Sequence, residues 1–356
     1  MIKVKLLKEY FQDKISLSTQ TAKLVISIFR SSKIISLFMS KYFLLCGSII
    51  ILIYFWYLYQ KPHITVTLID FKEGLFEHPA DIIEFNEHFW VTELLSSKVV
   101  QVDFGFSSIS QSLIHPNPKK SFRSPHNLTV DENSLFFSGG WGSSIYSYDQ
   151  SLTKFKEIPE KKNQNNIKLN APHGICRQDN WLYIADSLNS RLIRFDVDNP
   201  NKIEIFADKK RRIAYGRQII CSESGIWISN SYEKKEGLNP GNGANIIKIN
   251  DFSSGKSEII TIFPNTNITG IYIHDNRFLI TAKWHANSIS IYDIKRNKEL
   301  DSIELPSLYA GVPYSMFFST TTEKLYITFI GDLYGKKNKG GIAIYKIKEH
   351  PFADIL

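Results

Sequence analysis

Four side chains able to bind metals, pair with anions or exchange protons occupy the same position of a recurring short turn. They are His126, His173, Arg217 and Tyr314, and each is the second residue of a turn that leads into an apolar segment. Imidazole nitrogen binds metals and protons, guanidinium pairs with anions, and phenol donates a hydrogen bond. The four groups form one site only if the fold brings these turns together, which depends on the elements that carry them.

The turns begin a unit that recurs six times from residue 74 onward. We call them lead turns; they are 79–82, 125–128, 172–175, 216–219, 268–271 and 313–316. Their spacing is about 44 to 52 residues. A second apolar segment follows each lead turn, such as LYIAD from Leu182, and most units end on a third that finishes beside an acid, such as Phe195-Asp196. Short apolar segments joined by turns predict antiparallel strands.

Units of three or four strands at this period are typical of propeller blades. The sequence therefore predicts an all-β fold, a six-bladed β-propeller, preceded by an N-terminal transmembrane helix. The expected blades are approximately 74–123, 124–168, 169–213, 214–265, 266–309 and 310–356. Segment 63–69 has no blade of its own, so we expect it to pair outside 341–347 and close the ring as part of the last blade.

The basic character of the chain is concentrated at its N-terminus. The formal net charge is +8, and residues 1–41 alone carry +6, from eight Lys or Arg and two acidic residues. Little positive charge is left for the rest of the chain. We therefore expect no nucleic-acid partner.

Residues 42–59 are an uncharged, apolar run that ends in a Tyr and Trp cluster. This is enough to span a bilayer, with the aromatic residues at its interface. A cleaved signal peptide is the alternative, but residues 1–41 are long for its basic region and no small-residue cleavage site follows. We expect a single-pass membrane protein with a cytoplasmic segment 1–41, an anchor at 42–60 and an extracytoplasmic propeller at 61–356.

The chain has three cysteines, too few and too scattered for a disulfide framework. Cys46 lies in the apolar run, and Cys176 and Cys221 lie in predicted inner strands. We expect Cys176 and Cys221 to be buried free thiols.

A family resemblance is carried by the stretch 169–196, in which PHGI is followed by LYIADSLNSRLIRFD. This stretch resembles an NHL repeat, and residues 74–348 resemble the six-bladed propellers of the NHL and gluconolactonase-like superfamily. The resemblance implies that the first strand of each blade is innermost. The second residue of each lead turn would then stand at the mouth of the central channel, where the six positions hold Ala80, His126, His173, Arg217, Thr269 and Tyr314.

A further group of candidate ligand-binding residues is expected around this mouth. It comprises Glu93, Trp141, Asp186, Asn230, Thr269, Trp284 and His285. The second and fifth blades face each other across a six-fold ring, so Trp141 and Trp284 could flank a ligand. Loops 231–244 and 331–340 are long and rich in Gly and Lys, which is typical of lids or of solvated loops.

The resemblance implies three possible metal chemistries. Gluconolactonase-like enzymes hold a divalent cation with Glu, Asn and Asp, so a calcium ion here would need Glu93, Asp186 and Asn230. Peptidyl-hydroxyglycine lyase binds zinc through histidines beside Arg and Tyr, and His126 and His173 are the matching ligand type. Arylesterases of the paraoxonase type share the PHGI turn and an N-terminal anchor, but their Asn-rich calcium set has no visible counterpart.

These incomplete metal sets favour a binding protein. We expect the mouth of the central channel, on the top face of the propeller, to bind a small molecule, peptide, glycan or protein, with the membrane as a second partner through the N-terminal helix. The alternative is a metal-assisted hydrolase or lyase that uses His126, His173, Arg217 and Tyr314. Its candidate cofactor is zinc or calcium, with His126 and His173 as the metal ligands and His285 as a candidate third histidine.

Overall fold

The computed structural model describes residues 50, 64–151, 153–158, 167–206, 213–231, 243–264, 266–284, 286–305, 311–331 and 340–349. The predicted cytoplasmic segment, all of the predicted anchor except residue 50, and most of the two long loops lie outside these residues. In the part that is described, no helix has the length and apolarity needed to cross a membrane.

Antiparallel strands make up nearly all the regular structure between Ile64 and Glu349. In chain order they are β1 Ile64–Glu73, β2 Pro79–Phe85, β3 His88–Glu93, β4 Lys98–Val102, β5 Ile109–Leu113, β6 Pro125–Val130, β7 Ser134–Gly139, β8 Ser144–Asp149, β9 Lys154–Ile158, β10 Pro172–Gln178, β11 Trp181–Asp186, β12 Arg191–Asp196, β13 Ile203–Ile205, β14 Tyr215–Ser222, β15 Gly225–Ser231, β16 Gly243–Asp251, β17 Lys256–Pro264, β18 Ile268–His274, β19 Phe278–Lys283, β20 Ser288–Asp293, β21 Lys298–Glu304, β22 Pro313–Ser319, β23 Lys324–Phe329 and β24 Gly341–Glu349.

These strands form six sheets of four strands each. The first five sheets are consecutive meanders that begin with β2, β6, β10, β14 and β18, and the sixth has the order β22, β23, β24, β1. The first strands of neighbouring sheets contact one another all the way round the ring, so they line its centre. This confirms the predicted all-β, six-bladed propeller.

The ring is closed by a strand from its N-terminal side. Strand β1 pairs antiparallel with β24, from Ile64 opposite Glu349 to Glu73 opposite Gly341, with one register shift between Leu68 and Asp70. Ile64 and Val66 are buried. They pack in the apolar cluster between the fifth and sixth sheets, so the last blade is completed by residues far away in sequence.

Apolar clusters hold each pair of neighbouring sheets together. Phe89 of the first sheet packs on Tyr326 of the sixth, with ring centroids 4.6 Å apart, and Trp90 packs toward the second sheet. Consecutive residues thus face opposite neighbours, and the second strands are buried on both faces. Strands β5 and β9, the fourth strands of the first two sheets, instead alternate between exposed and half-buried residues before a buried last residue, because one of their faces is more open to solvent.

A ring of hydroxyl groups also joins the sheets near the channel. At every sheet-to-sheet boundary, a Ser or Thr hydroxyl donates to a backbone carbonyl of the next sheet, at 2.5 to 3.0 Å. The donors are Thr92, Ser138, Ser187, Ser229, Thr269 and Thr328. Four of them occupy the fourth position of the second-strand pattern, as in FWVTE and LFFSG. These bonds fix the spacing of the first strands.

Cys176 and Cys221 form a disulfide, so the expectation of two free thiols was wrong. The two residues lie on β10 and β14, the adjacent first strands of the third and fourth sheets, with a Cα–Cα distance of 5.6 Å. The sequence does not reveal this pairing because the cysteines have a sequence separation of 45. Only the side-by-side packing of two blades brings them within bonding distance.

Candidate functional site

A β-bulge stands at the start of each first strand and directs one side chain of every lead turn. The register shifts between Pro125 and Leu128, between Pro172 and Ile175, and at the same point of the other four sheets. A bulge re-aims side chains at the end of a sheet. A proline begins four of these six strands, and it suits this place because the first residue of a strand needs no N–H for the ladder.

His126 and His173 meet at the channel mouth, with ring centroids 4.2 Å apart. Each Nδ1 faces a backbone carbonyl, that of Ser124 at 2.6 Å and that of Ala171 at 2.8 Å. Because a carbonyl only accepts, Nδ1 must donate its proton and Nε2 is left as an acceptor. The Nε2 of His173 lies 3.2 Å from the hydroxyl of Tyr215, which donates to it.

Both imidazoles are held in the neutral form. Burial, together with the nearby charge of Arg217, lowers the pKa of His126 to about 3, although the hydrogen bond to the Ser124 carbonyl acts to raise it. Burial has the largest effect on His173, and the electrostatic effects of His126 and Arg217 act in the same direction. The pKa of His173 therefore lies well below its usual value. A neutral imidazole can bind a hydrogen-bond donor or a metal through Nε2.

Arg217 is the cationic group of the site, and aromatic rings surround it. Its guanidinium lies 4.3 Å from the ring centroid of Tyr215 and 5.8 Å from that of Trp284. Its Nη1 donates to the hydroxyl of Tyr314 at 3.5 Å. Its Nε is buried without a hydrogen-bond partner, and no carboxylate among the described residues pairs with it.

Tyr314 completes the group from the sixth sheet. Its ring centroid lies 6.0 Å from that of His126 and 5.9 Å from that of Trp284. Burial raises the pKa of Tyr314, so its hydroxyl stays protonated. The four residues that the sequence assigned to a common site are therefore brought together by four different sheets. We call this group, with Tyr215 and Trp284, the funnel.

Tyr215 is the funnel residue that sequence reasoning missed. It lies two positions before Arg217, and alternate residues of a strand point to the same face. This alternation was a usable signal, but the lead-turn alignment began one residue later, at Gly216. Tyr215 is almost wholly buried, and it touches both His173 and Arg217.

A buried polar layer lies next to the funnel residues and links three sheets. Asp81 accepts from the hydroxyl of Ser315 at 2.5 Å, from the amide side chain of Asn127 at 3.1 Å and from the backbone N–H of Leu128 at 2.8 Å. Burial raises the pKa of Asp81 to about 6 against the lowering effect of these bonds. This layer supports the lead turns of the first, second and sixth sheets.

Glycine at position 140 makes room for His126. A Cβ added there would lie 2.1 Å from the imidazole Nδ1, well inside contact distance. The backbone N–H of Gly140 donates to the carbonyl of Ser124, the same carbonyl that holds the imidazole. The turn after β7 thus fixes the position of this ring.

Glu93, Asp186 and Asn230, predicted to line the site, bind loop backbone inside their own blades. Each accepts from N–H groups of the segment before its first strand: Glu93 from Glu77 at 3.2 Å, Asp186 from Asn170 at 2.6 Å, and Asn230 from Ala214 and Tyr215 at 2.9 Å. Asp186 also pairs with Arg191 at 2.7 Å. These side chains position the lead turns; Asn230 reaches the funnel residue Tyr215 through its backbone, and within the described residues no hydrogen bond or ring contact joins Glu93 or Asp186 to the funnel side chains.

The remaining predicted residues divide between the funnel and other positions. Trp284 belongs to the funnel, while the hydroxyl of Thr269 is used in the inter-sheet bond to the carbonyl of Pro313 at 2.8 Å. Trp141 is 62% exposed at the surface. Within the described residues, no ring contact joins it to the funnel. His285 lies outside the described residues.

The funnel offers no acidic ligand to a metal from the described residues, and of its two histidine Nε2 atoms that of His173 already accepts from the Tyr215 hydroxyl. In that part of the chain, three metal-ligating side chains come together only at His274, Asp275 and Glu349, away from the funnel. The zinc assignment to His126 and His173 stays a prediction. The positive charge of Arg217 beside them opposes a cation.

Comparison with known proteins supports the fold. No family model and no curated protein matches the chain. A streptogramin B lyase structure is 14% identical, with a TM-score of 0.50 over 80% of this chain and 97% of that one. Virginiamycin B lyase from Staphylococcus aureus is 15% identical over 81% and 90%, with a TM-score of 0.50. The WD40 repeats of RRP9 are 9% identical over 80% and 100%, with a TM-score of 0.56.

These likenesses define the chain as a β-propeller, and its sheet order makes it a six-bladed one. At such low identity they show the fold alone. One propeller fold hosts many functions, so only the side chains of the funnel can indicate what this propeller does.

Proposed function

We propose that this chain is a membrane-anchored propeller that binds a small molecule bearing a carboxylate in its central funnel. The observation that carries the proposal is the Arg217 guanidinium, which stands among aromatic rings without an anionic partner in the described part of the chain. A half-buried charge without a partner is costly, so a site that keeps one is suited to a ligand of opposite charge. The planar guanidinium matches a carboxylate with two parallel hydrogen bonds.

The other funnel residues suit the rest of such a ligand. Tyr215, Trp284 and Tyr314 present aromatic surface, which stacks on apolar or ring-shaped groups. The Nε2 of His126 has no hydrogen-bond partner among the described residues, so it can accept from a hydroxyl or amide of the ligand. A base with a pKa of about 3 removes protons poorly near pH 7, which favours binding over proton transfer.

Location outside the cytoplasm is part of the same proposal. A disulfide between two blades is stable in an oxidising compartment and rare in the cytosol. The basic segment 1–41 and the apolar run at 42–59 supply the signals for an anchor with its N-terminus inside. We also infer that the PHGI-type units make the chain a divergent NHL-type propeller.

The experiment uses the full-length protein in detergent micelles, with benzoate as the probe and benzamide as its uncharged counterpart. We expect benzoate to raise the melting temperature and benzamide to have little effect. Arg217→Gln should lower benzoate affinity about 10- to 100-fold, because a charge-assisted bond is lost. Arg123→Gln removes an exposed arginine outside the funnel and is the matched control. Equal benzoate affinity in wild type and Arg217→Gln would overturn the proposal.

The second candidate is the metal-assisted hydrolase or lyase. One observation favours it: both histidines donate Nδ1–H to a backbone carbonyl, as metal-ligating histidines usually do with their second nitrogen. Metal analysis of the purified protein and of the His126→Ala, His173→Ala double variant tests this. Stoichiometric zinc or calcium that is lost in the double variant favours the enzyme, and its retention there contradicts a funnel metal.

A further inference from the structure

A second cluster of ligating side chains lies on the opposite face of the ring from the funnel. His274 ends strand β18, five residues after Thr269, which is about 16 Å along a strand. Asp275 follows it, and Glu349 ends the last strand, β24. One ligating atom from each of the three residues lies within 4.8 Å of the other two. The cluster therefore joins the fifth sheet to the last strand of the sixth.

The imidazole of His274 is oriented by its neighbours. Its Nδ1 lies 3.3 Å from the hydroxyl of Tyr272, and its ring stands 6.4 Å from that of Phe318. Tyr272 and Phe318 stack at 5.3 Å and form the wall behind it. The side chain is only 16% exposed, so it has little freedom. Nε2 consequently faces the two carboxylates, and a fixed second nitrogen is the usual arrangement of a metal-ligating histidine.

The distances suit a small divalent ion. Nε2 lies 2.6 Å from a Glu349 oxygen and 4.0 Å from an Asp275 oxygen. Two ligands of a tetrahedral zinc ion, each at about 2.0 to 2.2 Å, are about 3.4 Å apart. The two observed separations bracket this value, so modest rotations of the exposed carboxylates would complete three ligand positions, leaving a fourth for water.

The electrostatic environment is also negative. The two carboxylates carry two negative charges, which the single imidazole does not balance. One nitrogen and two carboxylate oxygens are ligands that zinc and neighbouring transition metals accept.

We propose that His274, Asp275 and Glu349 form a binding site for a divalent transition-metal ion, with Zn²⁺ as its probe, that fastens the last strand of the propeller to the fifth blade. The site lies at the seam of the ring, because Glu349 pairs in register with Ile64 at the start of the closing strand. A bound ion stabilises the folded state by mass action. It would therefore oppose fraying of β24 and β1 at the one place where the ring is closed by distant segments.

The test measures Zn²⁺ binding and the zinc-dependent rise in melting temperature on the full-length protein in detergent. We expect one zinc ion at this site, with affinity reduced at least tenfold by His274→Ala and by the milder Asp275→Asn and Glu349→Gln. His88→Ala is the matched control, since His88 stands at the corresponding hairpin of the first blade. It should bind zinc like wild type.

The His126→Ala, His173→Ala double variant separates this site from the funnel. Zinc binding that survives in the double variant and falls in His274→Ala assigns the ion to the seam. Folding of each variant is checked by its melting temperature without metal. The proposal is overturned if wild type does not bind zinc, or if His274→Ala and Glu349→Gln both fold and bind it with unchanged affinity.

Discussion

The imidazoles of His126 and His173 stand 4.2 Å apart between ring centroids, although they come from the lead turns of two different blades. Each is fixed through Nδ1 to the backbone just before its own strand. The pair is buried beside the Arg217 guanidinium. Protonating either ring would place a second positive charge in the funnel, so the folded protein keeps both neutral.

The first prediction concerns acid stability. Below its usual pKa of 6.5, His126 takes up a proton in the unfolded chain but stays neutral in the folded one until about pH 3. The unfolded state therefore binds more protons, and the free energy of unfolding falls as the pH falls through this window. The expected contribution is about 1.4 kcal/mol per pH unit for this histidine.

Chemical denaturation of wild type and His126→Gln between pH 8 and pH 4 measures this contribution. The comparison at pH 8, where the imidazole is neutral in both states, gives the packing cost of the substitution alone. Asp81 acts in the opposite direction between pH 3.8 and about 6, because its folded pKa is raised, so the difference between the two proteins is the quantity to compare. Parallel pH profiles for the two proteins would contradict the prediction.

The second prediction concerns the Cys176–Cys221 disulfide. It closes a loop with a sequence separation of 45, for which the chain-entropy model gives about 4 kcal/mol of stabilisation. The Cys176→Ala, Cys221→Ala double variant should lose stability of this order in denaturant titrations, whereas Cys46→Ala should not. Peptide mapping without reductant should recover the two cysteines as one linked peptide. Recovery of both as free thiols after non-reducing purification would show the prediction to be wrong.

The third prediction concerns the closing strand. Val66 is 7% exposed and packs between the fifth and sixth sheets, whereas the next residue, Thr67, is exposed. A buried carboxylate without a partner is strongly unfavourable, so Val66→Asp should lower the free energy of unfolding by about 3 kcal/mol. Thr67→Asp is the matched control and should change it by less than about 0.5 kcal/mol. Equal melting temperatures for the two variants would argue against a structural role of β1 in the ring.

Much of the fold was predictable because it repeats. Six lead turns at similar spacing, each followed by a second strand such as LYIAD, indicate six blades even where single units are divergent. Residues at equivalent points of a repeat occupy equivalent places in the ring. This is why His126, His173, Arg217 and Tyr314 could be grouped before their distances were known.

Other parts of the site could not be predicted because they depend on tertiary contacts, some within one blade and some between blades. Glu93, Asp186 and Asn230 are polar residues at a shared position, which suggested a ligand, yet each accepts hydrogen bonds from the backbone of its own blade. Sequence alone cannot show which backbone donors lie within hydrogen-bond distance of a carboxylate or amide oxygen. The same limit applies to Tyr215, whose contacts with His173 and Arg217 depend on how two first strands pack.

The sequence by itself determined the number of blades, the strand pattern and the four residue types that meet at the channel mouth, because these follow from local periodicity repeated along the chain. The tertiary structure decided what those residues do. The bulges aim them, burial keeps His126 and His173 neutral, and the packing of neighbouring blades leaves Arg217 among aromatic rings without an anion from the described residues. The burial of each side chain, its protonation and its distance to a partner are set only when separate blades pack together. These properties make the four side chains a candidate binding site.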